Sequence, residues 1–175
     1  MYSSLDRTEH RAPNLWHTAP FSGGASPAAK PIGVRFVMLG DLSTDVFLQR
    51  YWQQKPLLIR NALTNYRSPI SPDELAGLAL ESEVESRLVE SQGMDWTLKH
   101  GPFTEEDFLG LPEQDWTLLV QGVDLWVPEV QALLSQFAFL PPWRLDDVMV
   151  SFACPGGSVG PHFDQYDVFL LQVEG

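Results

Sequence analysis

The sequence predicts a β-rich α+β fold, a barrel or sandwich of strands with helices added mainly in its first half. Three observations lead there. Runs rich in Val, Leu, Phe and Trp, bounded by Gly and Pro, recur through the second half over 96–100, 116–121, 147–153 and 166–172. Helix-start signals gather earlier, above all Ser71-Pro72-Asp73-Glu74. The segment Pro155-Gly156-Gly157-Ser158-Val159-Gly160-Pro161 then has the turn chemistry to bring one strand round to the next.

Residues 1–33 hold Ser, Pro, Gly and Ala in quantity without a sustained period. They are expected to form a flexible N-terminal tail, so His10 and His17 bind nothing, and the ordered domain is expected over 34–175. A strand is expected over 34–39, ended by Gly40-Asp41. Ser43 or Thr44 can cap a helix over 45–52, whose Val46-Phe47 and Arg50-Tyr51 spacing gives it one apolar side. Pro56 opens a second expected strand over 57–60.

The next helix, over 74–80, has Ser at the cap, Pro in the first turn and acids where the macrodipole favours them. A strand over 84–89 and one over 96–100 flank a hairpin turn at Gln92-Gly93-Met94-Asp95. Gly101-Pro102 breaks the second of these, and Thr104 caps a short helix over 105–109. Residues 116–121, Trp-Thr-Leu-Leu-Val-Gln, read as a buried strand. A helix over 128–137 places Val130, Leu133, Leu134 and Phe137 on one face before Pro141-Pro142 stops it. The strand over 147–153 leads into the Gly-rich turn, and 166–172 is expected to be a buried strand.

Between that turn and the last run lies Gly160-Pro161-His162-Phe163-Asp164. Side chains two apart in a strand share a face, so His162 and Asp164 point the same way if the strand reaches back to them. One imidazole and one carboxylate on one face supply two of the three donors of a 2-His-1-carboxylate triad for non-heme Fe(II). A His-x-Asp triplet also describes a strand-end histidine bonded to a neighbouring carboxylate. What favours the metal reading is the Gly-rich turn before the pair and the aromatic and branched strand after it. Other candidates are weaker. Asp146-Asp147 and Glu105-Glu106-Asp107 are consecutive acids whose side chains point apart, which describes solvated surface. Cys154 has no basic neighbour in sequence and reads as a structural thiol. His100 reads as a strand-end residue.

Composition bounds the rest. In 175 residues, 44% apolar with ten Phe and six Trp, there is material for one folded domain with a real core. One cysteine excludes an internal disulfide framework and fits a reducing compartment. There is no signal-peptide pattern and no run of about eighteen apolar residues, so a cytoplasmic protein with no membrane segment is expected. The net charge of −12 is uneven: residues 100–175 hold twelve acids and only Arg144. Such a field repels phosphates and attracts a basic protein, and no basic stripe or Walker-type loop is present, so direct nucleic-acid binding is not expected.

Several blocks resemble one family. They are Phe47-Leu48-Gln49-Arg50-Tyr51-Trp52-Gln53-Gln54-Lys55-Pro56-Leu57-Leu58-Ile59-Arg60-Asn61-Ala62, then Ile70-Ser71-Pro72-Asp73-Glu74-Leu75-Ala76-Gly77-Leu78-Ala79, Glu83-Val84-Glu85-Ser86-Arg87-Leu88-Val89, His100-Gly101-Pro102-Phe103, and the stretch from Trp143-Arg144 to Gln172. Together they are similar to bacterial cupin-fold, JmjC-type ribosomal oxygenases, in register over about 34–172. The resemblance implies a cupin or double-stranded β-helix (JmjC-like) domain, of which 34–175 is the N-terminal part with an incomplete barrel. It implies an Fe(II)- and 2-oxoglutarate-dependent dioxygenase that hydroxylates an arginine of a basic large-subunit ribosomal protein on its β-carbon, and that acts as a homodimer. His162 and Asp164 match the family's first two iron ligands, and Ser151 falls near its 2-oxoglutarate pocket. The third ligand and the arginine for the 2-oxoglutarate carboxylate are expected beyond Gly175, so this stretch alone is expected to be inactive. The alternative, from a different class, is a non-catalytic acidic cupin-like module that binds a basic protein.

Overall fold

The structure, a computed structural model, describes residues 38–63 and 65–175. The expected tail with His10 and His17, and most of the expected first strand, lie outside the described residues; Met38 and Leu39 sit in a turn. What is described belongs to the unit Gly33–Gly175.

Helix starts follow the local chemistry closely. Helix α1 (Thr44–Arg50) is capped by the Ser43 side chain, which accepts from the Val46 N–H. Helix α2 (Pro72–Leu78) carries a full capping box: Ser71 Oγ accepts from the Glu74 N–H, and Glu74 accepts from the Ser71 N–H at 2.8 Å. Such a cap stabilises a helix by about 1 kcal/mol.

After α2 the chain forms a hairpin, β1 (Ser86–Gln92) and β2 (Asp95–His100), turned by Gly93 at φ +65°. Helix α3 (Glu105–Leu109) has its own capping box between Thr104 and Asp107. Strand β3 (Trp116–Val120) is buried along its whole length. Helix α4 (Pro128–Leu134) tightens into a 3-10 turn at Ser135–Phe137, and strand β4 (Val150–Ala153) closes the set.

The four strands form one antiparallel sheet in the order β2-β1-β3-β4. Register places Leu88 opposite Leu118 and Leu118 opposite Phe152. These three share a face with Val120 and Val150, against Leu75 and Ala76 of α2, Ala79 just past its end, and Val123 and Val130. That face is the core. Each fully buried Leu or Val contributes about 1.5–3 kcal/mol relative to exposure.

Two expected strands do not form. Residues 57–60 are irregular, and Leu58 lies in solvent. Residues 166–172, expected to be a buried strand, are irregular and mostly exposed, with Leu170 88% accessible. Apolarity alone does not make a strand, because each N–H and C=O needs a ladder partner. No described strand pairs with either segment.

Strand β4 also begins three residues later than expected. Residues 147–149 are committed elsewhere: Asp147 accepts from the Gly122 N–H at 2.6 Å and from the Gln121 amide, and the Val148 N–H donates to Asp124 at 2.7 Å. Asp147 is therefore not solvated surface. It staples the segment before β4 to the end of β3, while its neighbour Asp146 is exposed.

Candidate metal centre

The chain leaves β4 through Cys154 and a turn that doubles back over the sheet. Cys154 Sγ accepts from the Trp116 N–H and donates to the Trp116 carbonyl, both at 3.2 Å, which makes it the structural thiol expected. Gly157 then lies directly against Trp116 and Thr117, leaving no room for a side chain. Gly160, at φ +75°, lies on the ring of Trp96, where a Cβ would meet the indole at 3.5 Å.

Strand alternation shows which face this turn crosses. Thr117 pairs with Val89, Ser91 with Trp96 and Leu119 with Ser151, so Thr117, Trp96 and Ser151 all lie on the face away from the core. The turn covers that face as it passes from β3 towards β2.

His162 and Asp164 follow at once. His162 Nε2 stands 3.7 Å from Asp164 Oδ2, with the side chains 54% and 37% accessible. His162 Nδ1 lies 3.0 Å from the Gly160 carbonyl. A carbonyl can only accept, so Nδ1 carries a proton, and when the ring binds a cation its lone pair is on Nε2, facing the carboxylate. The 3.7 Å gap is too long for a hydrogen bond. Two electron-pair donors thus converge without bonding each other, with the imidazole oriented from behind by a backbone acceptor, as metal-bound histidines are.

The residues present fit a divalent cation at two positions. Among the described residues no group of three or more His, Cys, Asp or Glu comes together, so they bring no further such donor to the pair. Ser151 offers one exposed hydroxyl on the face that the turn crosses.

Beyond Asp164 the segment is held by contacts that no local pattern announces. Gln53 Nε2 donates to Asp167 Oδ2 at 2.8 Å across a sequence separation of 114. Phe169 stacks on Trp52 with centroids 5.7 Å apart, and packs on Phe137 at 4.6 Å. Phe47 and Phe139 complete that aromatic cluster. A shallow recess lined by Gln53, Phe163, Asp164, Gln165, Tyr166 and Asp167 lies beside the pair. Trp96, Gln53 and Asp167 were invisible to motif reading, because each acts through a partner far away in sequence.

Other charged candidates have structural work. Asp107 caps α3, and the Thr104 backbone N–H, with its hydroxyl, holds the carboxyl below its ordinary pKa. His100 ends β2, opposite Arg87. Among the described residues, no helix is long and apolar enough to cross a membrane.

Residues 132–175 match the family described as JmjC domain. The chain is 54% identical over 129 residues to the "Ribosomal protein uL16 3-hydroxylase" of Escherichia coli K12, covering 74% of this chain and 34% of that protein. It is 43% identical over 143 residues to the "Probable ribosomal oxygenase" of Haemophilus influenzae Rd, covering 81% of this chain and 35% of the other. The chain thus spans about a third of the length of these relatives. Among solved structures it is similar to YcfD, a ribosomal oxygenase from E. coli, with TM-score 0.68 and 51% identity over 71% of this chain and 34% of that one. Structures of YcfD with the same TM-score hold cobalt with 2-oxoglutarate and cobalt with succinic acid. The fold is therefore that of a JmjC/cupin domain, seen here as an open four-stranded sheet with helical additions.

Proposed function

We propose, taking the chain as the N-terminal portion of a JmjC-type ribosomal oxygenase, that the whole protein is an Fe(II)- and 2-oxoglutarate-dependent oxygenase. Its substrate on this reading is an arginine side chain of a basic large-subunit ribosomal protein, hydroxylated on the β-carbon, and it works as a homodimer. The observation that carries the chemistry is the convergence of His162 Nε2 and Asp164 Oδ2, with the other ring nitrogen tied to Gly160.

His162 would hold the metal through Nε2 and Asp164 through its carboxylate. Ser151 would donate to a carboxylate of 2-oxoglutarate. Fe(II) with 2-oxoglutarate supplies the oxygen-activating chemistry, in which one atom of O₂ enters a C–H bond and the other enters succinate as CO₂ leaves. The chain's own part is placement: the Gly160 carbonyl fixes the imidazole, and Trp96 supports Gly160.

The ribosomal substrate is supported by the E. coli relative, a ribosomal protein uL16 3-hydroxylase. Charge supports it as well. Of the twelve acids after residue 99, Asp124 and Asp147 are committed to backbone groups within the fold, but Glu105, Glu106, Glu113, Glu129, Asp146, Asp164, Asp167 and Glu174 are exposed. A negative surface of this kind concentrates a basic partner.

The test is 2-oxoglutarate turnover by the whole protein with a basic ribosomal-protein peptide. His162→Ala is expected to abolish turnover while leaving peptide binding in place. Turnover within tenfold of the unsubstituted protein would remove His162 as a metal ligand, and no turnover by the unsubstituted protein would remove the oxygenase reading and leave the acidic binding module.

A further inference from the structure

We infer that Gln53, just beyond the end of α1, is a positioning residue for the His162–Asp164 pair and acts on it through Asp167. This inference rests on the metal reading above and adds to it a residue from another part of the chain.

The segment that carries the pair is irregular and receives no ladder support. Upstream it is seated by Gly160 on Trp96. Downstream, two contacts tie it to α1 and the turn that follows. One is the 2.8 Å hydrogen bond from Gln53 Nε2 to Asp167 Oδ2, three residues past Asp164. The other is the seating of Phe169 among Trp52, Phe47 and Phe137. The first is directional and charge-assisted, the second is not. Apolar packing therefore keeps the segment nearby, and the hydrogen bond fixes where it stops.

Gln53 occupies the left-handed region at φ +56°, uncommon for a residue with a side chain. The chain reverses there, after the Trp52 N–H closes on the Phe47 carbonyl, and this aims the amide at Asp167. Gln53 and Asp167 also line the recess beside Asp164, so their bond forms one wall of it. A wall fixed at its rim holds the nearby carboxylate at one distance from His162. Groups hydrogen-bonded directly to a metal ligand typically change metal affinity about 10–100-fold when removed, and Gln53, one contact further out, is placed at the low end of that range.

The experiment is Mn(II) titration of the full chain, followed by electron paramagnetic resonance, beside thermal unfolding of the same samples without metal. Gln53→Ala is expected to weaken Mn(II) binding about tenfold, with an unchanged unfolding midpoint. Asp167→Asn keeps an acceptor for the Gln53 amide and is expected to bind Mn(II) within about twofold of the unsubstituted chain; Asp167→Ala should match Gln53→Ala. The inference is overturned if Gln53→Ala binds Mn(II) normally while His162→Ala does not. It is also overturned if affinity falls only in step with the unfolding midpoint, since the bond would then be merely structural. Undiminished Mn(II) binding in His162→Ala would instead overturn the metal reading itself.

Discussion

The Gly160 carbonyl accepts from His162 Nδ1 at 3.0 Å, and this one contact decides which nitrogen of the ring is free. It depends on backbone geometry, because Gly160 is at φ +75°. An L-residue placed there costs about 1–2 kcal/mol. The indole of Trp96 lies at an ordinary contact distance from an added methyl, so the penalty is conformational. Gly160→Ala is expected to lower the unfolding midpoint and weaken Co(II) binding together. Unchanged Co(II) affinity would show that the carbonyl does not orient the imidazole.

Asp147 ties two loops with one carboxylate. Replacing it by Ala leaves the Gly122 N–H and the Gln121 amide without their acceptor, at about 1–3 kcal/mol. Asp147→Asn, which can still accept from Gly122, should cost less. Urea unfolding of the two variants checks the order, and equal stability of Asp147→Ala and the unsubstituted chain would remove the staple.

Leu118 and Leu98 are the same residue type on strands of one sheet, 2% and 54% accessible respectively. Leu118→Ala is expected to destabilise by about 2–5 kcal/mol, and Leu98→Ala by about 0.5 kcal/mol or less. Comparable losses in denaturant unfolding would mean that the face of β2 bearing Leu98 is covered in solution.

Thr104 sets a small acid sensitivity in α3. Its backbone N–H first, and its hydroxyl second, hold the Asp107 carboxyl below its ordinary pKa. A depressed carboxyl stabilises the fold at pH above its unfolded value, and that contribution disappears as pH falls through the lowered folded value. Thr104→Ala removes only the second cause, so the Asp107 titration followed by NMR should move part of the way back up. A titration that does not move would assign the shift to the backbone bond, with the Lys99 charge as a lesser cause.

Where the sequence carried its signal in neighbouring residues, the structure follows it. Ser71-Pro72-Asp73-Glu74 states a helix start in four positions, and the capping box forms as written. Trp116 to Val120 is apolar enough to be buried on both faces, and it is. His162 and Asp164 come within 3.7 Å of each other although 162–164 form no strand, so the shared strand face expected of them is not what brings them together. The failures share a cause. Residues 57–60 and 166–172 have strand composition, but a strand is a relation between two segments, and composition says nothing about the second one. Asp147 looked like half of a solvated pair because its partners, Gln121 and Gly122, are over twenty positions away. Gln53 and Asp167 are further apart still. Trp96 could be read as a strand residue but not as the floor beneath Gly160.

On the metal reading, that floor gives the proposed centre an optical gauge. With a paramagnetic ion held by His162, an indole packed against Gly160, two positions earlier, is expected to lie near enough for its emission to be quenched. Co(II) should therefore dim the intrinsic fluorescence in a saturable way, and Trp96→Phe should remove most of that dimming, though other tryptophans remain. Occupancy could then be followed by light alone, without a substrate or a product to measure.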